Sequence, residues 1–140
     1  MKLIQIANEQ EQAVQCSDLL DLGVVDRKIV CNDLNAFEFT GKKLIINRPG
    51  YYLVKFNGNY TATGSNNVTN KLLLNDKHIL TAASGHTANE GDIFDLHFSK
   101  IIRVFSNNST QGNMPAILSI ENSGADATLN ILNFSVIKVG

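Results

Sequence analysis

Side chains that could do chemistry are few in this sequence, and they are scattered. Histidine occurs at His78, His86 and His97 only, and none stands at a spacing from another ligand that would let two of them share a zinc ion. His78 reads as an exposed hairpin residue and His97 as the polar side of a strand. His86 lies in a glycine-containing loop, where contact with a ligand competes with plain solvation. Glu90, Asp92 and Asp95 lie close together and offer the hard oxygens that calcium takes. The plainer reading has Asp92 closing the turn after Gly91 and Asp95 on an exposed strand face. Two carboxyl groups working as acid and base would need a cleft that holds one of them in an apolar pocket, and nothing in the chain marks one. Cys16 and Cys31 lack a nucleophile's flanking residues, and Ser84-Gly85 has no elbow motif around it. These residue types predict a protein without catalytic residues, metal or cofactor.

Composition narrows the remaining classes. The chain has 140 residues, enough for one domain that buries roughly 70% of its unfolded surface without a disulfide or metal. Charged residues make up 18%, below the roughly 25% of an average globular protein, and asparagine, serine and threonine supply the polar surface instead. A formal net charge of −1 with Lys and Arg dispersed leaves no basic patch for nucleic acid. No run of about 18 apolar residues is present to span a membrane. The first residues run from Met1-Lys-Leu-Ile-Gln-Ile6 straight into a polar stretch and do not read as a signal peptide. Cys16 and Cys31 are therefore expected as two thiols in a reducing compartment.

The elements that would carry any site are short strands separated by turns. In the stretch around Tyr51, residues Tyr52, Val54, Phe56 and Tyr60 point one way while Lys55, Asn57 and Asn59 point the other, which is a half-buried β-strand. Pro49-Gly50 starts it, because proline removes a ladder donor and glycine turns the chain without steric cost. Residues 71–80 predict a hairpin around Asn75-Asp76. Residues 93–105 fit a strand with Phe94, Leu96, Phe98, Ile102 and Val104 on one face, or a helix with Phe94, Phe98, Ile101 and Phe105 on one side; the strand is preferred among β neighbours. Leu19, Leu20 and Leu22 fit either a helical turn or another short strand. Residues 1–12 belong either to the same domain, which spans residues 1–140, or to an extended N-terminal segment.

Two strands carry apolar residues on both faces. Tyr51 and Leu53 sit on the nominally exposed side of their strand. Near the C-terminus, Leu129 and Ile131 set one phase while Leu132, Phe134 and Val136 set the other. Either a bulge near Leu132 shifts the register, or both faces are buried. Apolar residues on both faces predict oligomerisation.

The segment Gly41-Lys-Lys-Leu-Ile-Ile-Asn-Arg-Pro-Gly-Tyr-Tyr-Leu-Val-Lys-Phe56 resembles the tumour necrosis factor and complement globular-head superfamily, in which a glycine, an apolar run, Pro-Gly and an aromatic alternating strand follow one another. Leu72-Leu-Leu-Asn-Asp-Lys77 is similar to that family's next hairpin, with Asp76 where glycine is commoner, and Gly91-Asp92 to the start of a later strand. The resemblance implies an all-β, two-sheet antiparallel jelly-roll sandwich that assembles as a homotrimer through the sheet holding these two strands, with Tyr51, Leu53, Leu132, Phe134 and Val136 at the interface. There is no collagen-like stalk and no secretion signal. The asparagine-rich chain is instead similar to small bacteriophage jelly-roll proteins that serve as head fibres, decoration proteins or receptor-binding heads.

That likeness implies a non-enzymatic virion protein, made in a bacterial cytoplasm, whose partner is a capsid or other virion protein. The alternative is a module recognising cell-surface polysaccharide through three polar loops, residues 61–70, 83–91 and 106–115. Asn66, Asn67, His86, Asn89 and Asn108 are its candidate contacts, since amides both donate and accept.

Overall fold

The computed structural model describes residues 1–108 and 110–140, and over them every regular element is a β-strand. One sheet runs in the order β3 (Val24–Ile29), β1 (Leu3–Asn8), β11 (Ala127–Lys138), β6 (Gly50–Ala62) and β9 (Ile93–Val104), with β2 (Gln12–Val14) paired to one end of β11. The other runs β4 (Phe37–Phe39), β5 (Leu44–Ile46), β10 (Ala116–Asn122), β7 (Asn67–Leu74) and β8 (Lys77–Thr87). Every pairing is antiparallel. The expected two-sheet jelly-roll sandwich is the fold.

Alternation along each strand decides what fills the space between the sheets. Tyr52, Val54, Phe56 and Tyr60 of β6 are buried against Leu96, Phe98, Ile102 and Val104 of β9 and against Leu44, Leu72, Leu118 and Ile120 of the opposite sheet. Phe56 stacks on Phe98 with ring centroids 5.3 Å apart. Gly50 opens β6 at φ +143, where a Cβ would come within 2.6 Å of the Gly140 carbonyl oxygen. Glycine is needed at that start for both reasons.

Residues 93–104 are strand and not helix: β9 pairs with β6 from Thr61↔Ile93 to Gly50↔Val104 without a register shift. A long ladder to an existing strand outweighs an ambiguous local period. Leu20 and Leu22 are buried in an extended segment, their amides donating to the carbonyls of Ile120 and Gly41. The first residues lie within the first sheet as β1 and not as an extended segment.

The phase change in β11 has one cause. The pairing with β6 shifts between Leu129 and Ile131, so Asn130 is the extra residue of a bulge, and its amide donates to Asn59 Oδ1 (3.1 Å) and Thr61 Oγ1 (2.9 Å). Leu129, Leu132, Phe134 and Val136 consequently all point inward and are 0–1% exposed. This corrects the interface expectation for Leu132, Phe134 and Val136, which lie in the protomer's own core, out of reach of a second chain.

Candidate assembly face

A row of apolar side chains crosses the outward side of the first sheet. Leu53 on β6 pairs with Ile101 on β9 and with Ile137 on β11; Ile137 pairs with Leu3 on β1, and Leu3 with Ile29 on β3. Cross-strand partners have side chains on the same face, so Ile101, Leu53, Ile137, Leu3 and Ile29 form one line across five strands. Ile101 is 57% exposed, and Tyr51, one step along β6 on the same side, is 44% exposed. Tyr51 and Leu53 therefore take the outward position the sequence predicts. The other members had a weaker signal, an aliphatic residue out of phase beside a core residue, as in Ile101-Ile102 and Leu3-Ile4.

Beyond the row the face turns polar. Lys55, Asn57, His97, Ser99, Asn133 and Ser135, together with Phe56 and Phe98, line an open hollow of about 400 Å³. His97 is on the polar side of its strand, with its backbone amide donating to Ser84 Oγ at 3.3 Å.

Arg103 closes the other end of the face. Its guanidinium lies 5.2 Å from the Tyr51 ring centroid and 4.3 Å from that of Phe105. At the same end Asp33 accepts from Lys2 Nζ at 2.9 Å and from Arg48 at 2.9 and 2.8 Å. The hydrogen bond from Lys2, with Arg48 beside it, holds the Asp33 carboxyl below its ordinary value against a smaller opposing effect of burial. Tyr52 donates its hydroxyl to the Arg48 carbonyl at 2.7 Å. Burial pushes that hydroxyl up to about 12.

The polar loops do not form one surface. β7 begins at Asn67 and β8 continues to Thr87, so the loops shorten to residues 63–66 and 88–92. These two meet, with the Ala88 amide donating to the Asn66 carbonyl at 3.1 Å and Thr87 donating to Asn67 Oδ1. Asn89 follows Ala88 in the second of them, its backbone N–H donating to Asp92 Oδ2 at 2.8 Å. His86 sits on strand β8 and not in a loop, its ring stacked 4.5 Å from that of Phe94. Asn108 follows the far end of β9, at the opposite end of the sandwich, in a loop whose Ser109 lies outside the described residues.

Glu90, Asp92 and Asp95 are likewise not brought together. Asp92 closes the turn at Asn89, while Asp95 accepts from Asn59 Nδ2 at 2.9 Å on the outward sheet face. Among the described residues no group of three or more His, Cys, Asp or Glu could hold a metal ion. Cys16 and Cys31 are free and exposed. Among the described residues no helix is long and apolar enough to cross a membrane.

No family model matches the sequence, and no curated protein matches it. Solved structures do match the fold. The globular domain of a zebrafish complement 1qA protein superposes with a TM-score of 0.70 at 8% identity, covering 100% of this chain and 98% of that one. Eiger TNF from S. frugiperda gives 0.72 at 10% identity, covering 100% and 94%. PRD1 vertex protein P5 gives 0.64 at 12% identity, covering 99% and 97%. The chain thus has the jelly-roll fold shared by tumour necrosis factor and complement globular domains and by the vertex protein P5.

Proposed function

We propose that this chain is a non-enzymatic structural protein of a bacteriophage virion, a homotrimer built on the outward face of the first sheet that docks on a capsid as a head fibre or decoration protein. The apolar row Ile101–Leu53–Ile137–Leu3–Ile29 carries this reading. In a lone sandwich the outward face of an antiparallel sheet is expected to be polar. Fully covering an aliphatic side chain of this size contributes about 1.5–3 kcal/mol. Ile101 is 57% and Ile29 37% exposed, with Leu3, Leu53 and Ile137 already partly covered, so each side chain of the row and Tyr51 contributes only part of that amount toward an association cost of about 4–15 kcal/mol.

Threefold assembly is supported by the likeness to tumour necrosis factor and complement head folds. The virion setting is supported by the likeness to a vertex protein. Light scattering on the purified chain tests the trimer, with three chain masses expected and a single chain mass at micromolar concentration overturning it. Pelleting with purified capsid shells tests the partner.

Polysaccharide recognition is the competing reading, favoured by the convergence of Asn66, Asn67 and Asn89 at one end. Binding to a cell-surface glycan without binding to shells would establish it instead. Separation of Asn108 from that group leaves it the smaller surface.

A further inference from the structure

We infer that Arg103, held between Tyr51 and Phe105, is a recognition site for carboxylate groups on an acidic protein segment. The guanidinium carbon lies over both rings, 5.2 and 4.3 Å from their centroids, and the exposed side chain keeps its N–H groups as donors. One amide clamps the backbone beneath it: Asn113 Nδ2 donates to the Arg103 carbonyl at 3.2 Å, while Asn113 Oδ1 accepts from the Phe105 amide at 2.6 Å. The guanidinium makes no ion pair and donates no hydrogen bond among the described residues. Asp33, the carboxylate at the same end, is taken by Lys2 and Arg48. A planar fork with its orientation already fixed loses little freedom on meeting a carboxylate, and that geometry suits paired N–H···O bonds.

Charge along the sandwich selects the partner. Lys138 lies at the Arg103 end, its amide donating to the Lys2 carbonyl at 2.9 Å. At the opposite end, residues 63–66, 88–92 and 123–126 carry Glu90, Asp92 and Asp126 and no Lys or Arg. Opposed poles of this kind turn the basic end toward an acidic surface during approach. Nucleic acid fits poorly, because the cations at this end are few, Lys2 and Arg48 being paired with Asp33, and exposed Val139 lies among them. An acidic stretch of protein, with apolar neighbours to match, fits both. Tyr51 also belongs to the assembly face, so the inference rests on Arg103 keeping its N–H groups at the open margin of the trimer proposed above.

The test follows the Arg103 Nε–Hε resonance of the full-length labelled protein by NMR. It is titrated with a hexa-aspartate peptide, a hexaglutamine control and inorganic phosphate at matched ionic strength. A saturable shift with the aspartate peptide alone is expected. Binding of that peptide, read from the surrounding amide resonances, should be lost in Arg103→Lys, which keeps the charge and removes the fork. Phe105→Leu should weaken it about two- to fivefold, the loss of one exposed cation–π contact. No saturable shift, an equal shift with phosphate, or undiminished binding in Arg103→Lys each overturns the inference. The particle mass of the same samples scores the trimer separately.

Discussion

Leu53 of β6 faces Ile137 of β11 across the outward side of the first sheet, with Ile101 and Leu3 extending the line on either side. A carboxylate placed at the centre of that line would be buried without a partner on assembly. Leu53→Asp is therefore expected to give a folded monomer, with an unchanged far-UV spectrum and a single chain mass by light scattering. An undiminished trimer in that variant would show that assembly uses another face.

Phe134, two residues beyond Leu132 on the same strand, behaves differently. Its ring is 1% exposed in the protomer core, so its loss acts on folding before assembly. Phe134→Ala should cost about 3–5 kcal/mol in denaturant unfolding. Phe134→Asp should not accumulate as a folded protein. A Phe134→Ala protein as stable as its parent would contradict the inward phase that the Asn130 bulge imposes.

Asp33 predicts an acid-sensitive end. Its folded value is lowered, first by the hydrogen bond from Lys2. Its contribution is thus present above the unfolded carboxyl value of about 3.9 and is lost as pH falls through the lower folded value. Thermal unfolding of Asp33→Asn should approach that of the parent as pH drops below about 4 and fall short of it near neutrality. A constant difference across that window would mean that Asp33 is not titrating as the geometry requires.

Asn70 and Tyr60 form a polar pair inside the core, linking β7 to β6. The Asn70 amide donates to the Tyr60 hydroxyl, both residues are 0% exposed, and Asn70 Oδ1 has no partner among the described residues. Tyr60→Phe leaves the amide without an acceptor and should cost about 1–3 kcal/mol. Adding Asn70→Leu removes the stranded group, so the double variant should be more stable than Tyr60→Phe alone. Strictly additive losses in urea would show that the pair is not coupled.

Several of these features were legible before any coordinates. Tyr52, Val54, Phe56 and Tyr60 declared the inward face of β6 because a strand repeats every two residues whatever surrounds it. The same rule failed on β11, where one inserted residue reverses the phase. Leu132, Phe134 and Val136 looked outward only if the strand was assumed regular. The polar loops were overlong because asparagine and threonine suit exposed strand ends as well as turns, and strands β7 and β8 extend into them. Arg103 carried no motif at all, since Tyr51 is 52 positions away in sequence and becomes its neighbour only through the β6–β9 register.

What the sequence determined by itself was the all-β class, the inward side of regular strands and the presence of surplus apolar residues on β6 and β11. These depend on local period and turn chemistry, which a chain carries with it. Only the tertiary structure decided which surplus residues stay exposed and that Ile101, Leu53, Ile137, Leu3 and Ile29 fall on one line. That outcome rests on the register between strands far apart in sequence and on the bulge at Asn130, and neither is encoded in the spacing of any one segment.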